Sequence, residues 1–406
     1  MLSFEEARAR MLALAAAMSA TPETVSVAEA EGRILATDVT PPFDLPSFDH
    51  STMDGYAVRA DTLATEGGSL SLVGESRAGH VVPALVAGTA MRIFTGAMLP
   101  EGADAVVMQE KVVVSNGPDT TVTFASRPDA GSNVRRRGSD LRTGEIAIAR
   151  GTRLRPAHLG LCASCDLAEV SVMPRPRVVV LTNGDELRAP GTEGTPGQFP
   201  ESNGVAIAAM ARRAGATVVL KKTLPDEREA VAAALDEALA TADLVITIGG
   251  VSVGDHDVVK GALAVANVTL DFWRVAIKPG KPLAVGTRGR TVALGLPGNP
   301  ASAMVTFGLF GVPFVRALAG ETDPLPREMP ARLQHDVAHD PGRMELVRAI
   351  VSREGDGLVA RAVRQQASGA GIGMALANAL VLVPRDSEGL VAGAVVTTYA
   401  FEDLGL

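Results

Sequence analysis

Apolar residues recur at helical spacing from Ser3 to Met18, and Thr21-Pro22 stops that run. A second short segment, 27–35, leads into the break at Pro41-Pro42. Between Asp44 and Gly144 the pattern changes to short β-type runs at 91–94, 105–108, 112–114 and 121–124, punctuated by Gly, Pro, Asn and Asp. That texture predicts a separate, small β-rich module. Pro174-Arg175-Pro176 marks the next boundary. Beyond it, strands at 178–181, 217–220 and 244–248 alternate with helices at 205–214, 227–241 and 257–266. Strands near 268–275, 283–286 and 291–295 and a helix at 301–318 complete the series. Such alternation predicts a mostly parallel, doubly wound α/β sheet. Pro324, Pro326 and Pro330 punctuate its exit, and short strands at 380–383 and 394–399 predict a C-terminal β domain.

Composition supports several cores rather than one. The chain has 406 residues, 47% hydrophobic and 21% charged, which is too long for a single ordinary domain and too apolar for disorder. A net charge of -8 argues against a duplex-binding surface, because phosphate affinity needs clustered, unopposed cations. The dense cluster Arg135-Arg136-Arg137 sits in a Gly-flanked stretch and reads as a solvated turn. Two cysteines, Cys162 and Cys165, cannot build a disulfide framework or complete a zinc site, so a reducing compartment is expected. Glu5 and Glu6 balance Arg8 and Arg10 ahead of the first apolar run, unlike a signal peptide. No apolar stretch is read as reaching the ~18 residues of a membrane span. A cytoplasmic location without membrane contact is the expectation.

In open α/β sheets the ligand site lies beyond the carboxyl ends of the strands. Three polar, Gly-rich segments fall there: Thr182-Asn183-Gly184-Asp185-Glu186, the run 249–257 (Gly249-Gly250-Val251-Ser252-Val253-Gly254-Asp255-His256-Asp257), and Pro297-Gly298-Asn299-Pro300-Ala301-Ser302. The central loop suits a phosphate cradle, since glycines let backbone N–H groups approach an anion and a helix N-terminus follows. It has neither the Walker A ending nor the dinucleotide spacing. Asp255 and Asp257 could hold Mg²⁺ against phosphates, with Glu186 and Asp226 nearby if the strands are adjacent, or could cap the next helix. Lys278-Pro279-Gly280-Lys281 places two cations on a stiff turn, able to converge on a small anion or to stand as an ordinary exposed turn.

Several segments together resemble one family, the MoeA and gephyrin E-domain molybdopterin molybdenumtransferases. The run 48–57, Phe48-Asp49-His50-Ser51-Thr52-Met53-Asp54-Gly55-Tyr56-Ala57, is similar to that family's DNSAMDGYA element. Arg92-Ile93-Phe94-Thr95-Gly96-Ala97 resembles its RIxTGAxxP, and Gly138-Ser139-Asp140 stands where it has GxD. The nucleotide-domain loops, the Lys278–Lys281 turn, Gly342-Arg343 and Gln366-Ala367-Ser368 match in order, so the resemblance covers nearly the whole chain. Asn183 stands where the family more often has Thr, His50 where it has Asn, and Arg274 where many members have Lys.

The resemblance implies a multidomain α/β plus β fold: an N-terminal helix (1–27), a discontinuous first domain (28–43 and 144–176), and an inserted β-rich domain (44–143). A central α/β molybdopterin-binding domain (177–323) and a C-terminal β-barrel domain (324–406) complete it. It implies molybdenum insertion from molybdate into adenylyl-molybdopterin with release of AMP, in a homodimer fed by a molybdopterin adenylyltransferase. Asp54, Thr95, Asp140, Glu186, Asp226 and Lys278 become candidate catalytic residues, with Asp54, Thr95 and Asp140 reaching the cleft from the partner subunit. Gly249, Gly250, Ser252, Gly254, Pro297, Gly298, Asn299 and Pro300 would hold the adenylate phosphates. Lys278, Lys281, Ser302, Arg343 and Ser368 would bind molybdate, and Asp257 with Glu186 would hold Mg²⁺. Cys162 and Cys165 read as a buried helix face and His158 as structural. The same fold also serves in the gephyrin branch as a peptide-binding scaffold, and the α/β domain alone would suit an adenylyltransferase.

Overall fold

The structure, a computed structural model, describes residues 1–115, 119–250 and 258–406. The first helix, Phe4–Ala16, begins at a reciprocal cap in which Ser3 Oγ accepts the Glu6 N–H at 3.1 Å and Glu6 Oε2 accepts the Ser3 N–H at 2.9 Å. Phe4, Ala7, Met11 and Ala15 form its buried stripe. They join the central core, where the Phe4 ring meets Phe310 edge-on with centroids 5.5 Å apart. This helix is therefore packed onto the α/β domain.

After it the chain passes through a neck. Strand Glu23–Ser26 pairs antiparallel with Glu169–Val172, and isolated bridges join Ile34 to Arg153, Leu35 to Val172, Val39 to Ile148 and Leu45 to Leu141. The outgoing and returning segments thus run side by side, and a β module is inserted between them. Of the segment 27–35, only the turn Val27–Glu29 is helical. The module is a six-stranded sheet in the order Ala105–Met108, Gly55–Val58, Thr89–Ile93, Gly68–Ser76, Thr121–Phe124, Val112–Ser115. Every ladder is antiparallel except that between Gly68–Ser76 and Thr89–Ile93.

At the base of the module the arginine cluster is exposed, as expected of a solvated turn, and each side chain is also paired with a carboxylate. Val134–Arg135 pairs with His50–Ser51. Arg135 pairs with Asp140, Arg136 Nη1 lies 2.6 Å from Asp49 Oδ2, and Arg137 Nε lies 2.8 Å from Asp44 Oδ2. Arg136 and Arg137 meet Asp49 and Asp44 because the outgoing segment carries those carboxylates past the returning one, while Asp140 follows Arg135 on the returning segment itself.

The central sheet runs Thr217–Leu224, Arg177–Asn183, Leu244–Ile248, Thr291–Leu296, Pro282–Arg288, Thr269–Arg274. Its first three ladders are parallel and the last two antiparallel. The mixed edge has a local cause: only Gly289 and Arg290 separate Arg288 from Thr291, and Gly289 has φ 58°, so this connection can only be a hairpin. Helix Asn203–Ala214, the first helix and the run Pro300–Leu318 pack on one face. Helices Arg228–Thr241 and Val258–Val265 cover the other. Pro300–Leu318 is long and apolar enough to cross a membrane, contrary to the reading of the sequence, but 78% of it is buried inside the fold. Its apolar character is that of a core helix.

The last domain is a closed five-stranded barrel. Met344–Glu354, Gly357–Ala362, Glu328–Leu333, Val395–Ala400 and Ala379–Val383 pair in turn, and the last closes on the first. A two-residue parallel ladder, Ile277–Lys278 with Met344–Glu345, ties the barrel to the α/β domain.

Candidate active site

The carboxyl ends of the three adjacent parallel strands Arg177–Asn183, Leu244–Ile248 and Thr291–Leu296 open into a pocket of about 600 Å³. Asn183, Glu186, Asp226, Gly249, Gly250, Pro297, Gly298, Asn299 and Pro300 line it, together with Phe199, Asn203, Pro282 and Gly369. Nine of these positions come from the three loops and Asp226 singled out in the sequence.

Two left-handed glycines make the floor. Gly249 has φ 96° and Gly250 φ 60°, and the Gly249 N–H donates to Leu296 O at 3.1 Å. A Cβ on Gly249 would stand 2.9 Å from the Asn183 carbonyl oxygen, so the loop lies flat on the neighbouring strand end. Asn183 Nδ2 donates to Asp226 Oδ1 at 2.9 Å, and the Asp226 N–H donates to Asp185 Oδ1 at 3.1 Å. The side chain that departs from the family's usual Thr therefore aims an acidic lining residue. Across the pocket, Asn203 Nδ2 donates to Gly298 O at 2.6 Å. Asn299 Nδ2 donates to Ser368 Oγ at 3.2 Å, and Ser368 O accepts the Ala301 N–H at 3.0 Å. A loop of the C-terminal barrel is thereby seated on the start of helix Pro300–Thr306.

The two-lysine turn borders this pocket through Pro282, which directly follows Lys281. Gly280, at φ 106°, packs so close to the helix that a Cβ there would fall 2.3 Å from Thr306 Oγ1. Lys281 is exposed; Lys278 Nζ lies 3.0 Å from Glu345 Oε1. Arg343 is half-buried just ahead of the Glu345 strand, and Ser302 is buried in the first helical turn.

Asp54, Thr95 and Asp140 belong to the inserted module, and none of them lines this pocket. Asp54 Oδ1 accepts from the Thr95 N–H at 2.8 Å and from Thr95 Oγ1 at 2.7 Å, and these bonds hold its carboxyl below the usual range. Asp140 is held low chiefly by its hydrogen bond from Arg135. Ser252, Gly254, Asp255 and Asp257 lie outside the described residues. Cys162 and Cys165 are fully enclosed, and burial pushes both thiols up. His158 Nδ1 accepts the Arg155 N–H at 3.2 Å, a helix-capping role.

Sequence reasoning passed over Asn203, Glu345, His339 and Arg348. The available signal was charge inside an apolar strand: Glu345 and Arg348 interrupt Met344, Leu346, Val347 and Ala349. Arg348 is fully buried, and its Nη2 donates to Gln365 O at 2.8 Å and Ala367 O at 3.2 Å.

Comparison with known proteins covers most of the chain. The profile described as "MoeA N-terminal region (domain I and II)" matches residues 2–165, "Probable molybdopterin binding domain" matches 179–317, and "MoeA C-terminal region (domain IV)" matches 330–401. The chain is 36% identical over 408 residues, all of both chains, to the molybdopterin molybdenumtransferase of Haemophilus influenzae. It is 38% identical over 384 residues to molybdopterin molybdenumtransferase 2 of Mycobacterium tuberculosis, covering 92% of this chain and 93% of that one. Among solved structures, a molybdopterin biosynthesis MoeA protein of Pyrococcus horikoshii superposes with a TM-score of 0.82 at 31% identity, covering 99% of each chain.

Proposed function

This chain belongs to the MoeA family, and on that premise we propose that it is a molybdopterin molybdenumtransferase, inserting molybdenum from molybdate into adenylyl-molybdopterin with release of AMP. The observation that carries the reading is the pocket at the strand ends, where the Gly249-Gly250 floor faces the 297–300 loop and the Lys278–Lys281 turn borders it. In this reading the adenylate phosphates lie against the backbone of Gly249, Gly250 and Gly298, because close approach to an anion needs positions without Cβ, while the Gly249 N–H itself stays with Leu296 O. Lys278, Lys281, Arg343, Ser302 and Ser368 surround the oxoanion with charge and directed donors. The soft sulfur ligands for molybdenum come from the pterin, which spares the two buried cysteines any part in it.

The donor set also fits Mg²⁺. Glu186 and Asp226 are exposed carboxylates on the pocket wall, and Mg²⁺ is ordinarily held by one or two carboxylates with substrate phosphates and water. Glu186, with Asp257, which lies outside the described residues, would hold the ion, which when bound supplies charge neutralisation as the phosphoanhydride breaks. Asp226, aimed by Asn183, orients the ligand side of that cluster.

Asp54, Thr95 and Asp140 do not line their own chain's pocket, which supports a homodimer in which the partner subunit's inserted module completes each cleft. A molybdopterin adenylyltransferase would supply the substrate in the cytoplasm. The test is AMP release and cofactor formation from adenylyl-molybdopterin by the purified protein with Mg²⁺, with and without molybdate. Molybdate-dependent formation of active cofactor is expected. Tight adenylate binding without turnover would instead support a scaffold or carrier, and ATP-dependent adenylation of molybdopterin would make the protein an adenylyltransferase.

A further inference from the structure

Lys278 already has a counter-ion. Its Nζ lies 3.0 Å from Glu345 Oε1, and Glu345 Oε2 lies 2.9 Å from His339 Nδ1. The three side chains grade from solvent to interior, with Lys278 44% exposed, Glu345 13% and His339 0%. A carboxylate only accepts, so Nδ1 is the ring nitrogen that donates. The far nitrogen, Nε2, is buried without a hydrogen-bond partner among the described residues. His339 thus anchors the Glu345 carboxylate from the buried side. The backbone holds the same arrangement: Lys278 stands in register with Glu345 across the parallel ladder, and Val337–Ala338, just before His339, pairs with Gly389–Leu390.

We propose that Glu345, locked by His339, is a counter-charge built into the oxoanion site, limiting how strongly the Lys278–Lys281 turn holds any dianion. The inference rests on the reading of Lys278 as an oxoanion ligand. An incoming dianion meets at Lys278 an ammonium whose field Glu345 largely offsets, and it is repelled by the fixed carboxylate behind. Attraction by charge alone is therefore weak, and what remains are directed donors whose geometry suits one size of tetrahedral anion. Sulfate is smaller than molybdate with the same charge, so Glu345 lowers the attraction of both alike, and the directed contacts set the preference between them. Glu345 thus sets a ceiling on how tightly the turn holds a dianion by charge.

The variant that isolates this is Glu345→Gln, which keeps the shape and removes the charge. Binding of molybdate and of sulfate is measured by titration calorimetry on the full-length protein, with thermal unfolding as the control for folding. Both anions are expected to bind more tightly, molybdate by about tenfold at low salt, the scale for removing one charge near a dianion at a solvent-facing site. Sulfate, which carries the same charge, is expected to gain by a similar factor. Glu345→Asp, which retracts the carboxylate from Lys278, is expected to shift affinity in the same sense by less, and it serves as the test should Glu345→Gln not fold. Lys278→Gln separates the two ideas. If it leaves molybdate affinity unchanged, the turn is not the oxoanion site and the proposed site assignment fails. If it weakens binding while Glu345→Gln leaves affinity unchanged or lowers it, the site stands and the counter-charge role is overturned.

Discussion

Asp44 shows at a single residue how the neck of the inserted module is held. Its carboxylate accepts the Thr143 N–H at 2.9 Å, the Arg137 Nε–H at 2.8 Å and Thr143 Oγ1 at 2.9 Å, and these bonds lower its pKa from an ordinary 3.8 to about 2. A folded-state value below the unfolded one means that the stabilisation is present at neutral pH and is lost as pH falls from about 4 through about 2. Asp44→Asn is expected to lower the melting temperature at pH 7, with the gap to the parent protein closing as pH approaches 2. A gap that stays constant down the acid range would show that the charge is not what matters. At the pocket floor, Gly249→Ala forces a side chain into φ 96° and to 2.9 Å from the Asn183 oxygen. It is expected to cost about 1–3 kcal/mol in urea unfolding and to weaken AMP binding by calorimetry. These glycines were legible in the sequence because a Gly-rich loop after an apolar strand is a local signal. Lys278's partner was not, since Glu345 lies in another domain.

Among the elements, strands Ala105–Met108, Thr121–Phe124 and Leu244–Ile248 coincide with the apolar runs that predict them. Strands Glu328–Leu333, Met344–Glu354 and Gly357–Ala362 went unread. Charged residues enter each of them, and in the longest Arg348 takes a buried position usually held by an apolar residue. The reason for Arg348 is the loop it shapes. Its guanidinium holds the Gln365 and Ala367 carbonyls, while Gln366 Nε2 returns bonds to Arg348 O and Val363 O, both at 2.8 Å. Ser368 is delivered to Asn299 from that clamp. Arg348→Ala is expected to destabilise the protein by about 2–4 kcal/mol, from the cavity and the unpaired carbonyls. Gln366→Ala should cost about 1–2 kcal/mol. Equilibrium unfolding of the two variants measures both, and equal small losses would show that the loop holds its shape without the arginine.

At the scale of the whole molecule, the proposed dimer makes a demand that a monomeric site does not. If each cleft joins the α/β pocket of one subunit to the inserted module of the other, Asp54→Asn and Lys281→Ala chains damage opposite sides of it. Each variant alone is expected to be nearly inactive. Co-assembled in equal amounts they should regain activity at about a quarter of the clefts, since half the dimers are mixed and one cleft in each is intact. A mixture no more active than its parts would place both residues in one chain's site. By itself the sequence determined the alternation of strands and helices, the loops at the strand ends and the glycines within them. Those depend on residue period and backbone freedom within a few positions of one another. Only the tertiary structure decided that the first helix joins the central core, in which order the last strands pair around the barrel, and that Arg136 and Arg137 meet Asp49 and Asp44. It alone brought His339 and Glu345 up behind Lys278. Apart from His339 with Glu345, which are close in sequence, these are pairings between residues tens to hundreds of positions apart, and loop-closure entropy rises so slowly with length that no local pattern records which distant partner will be met.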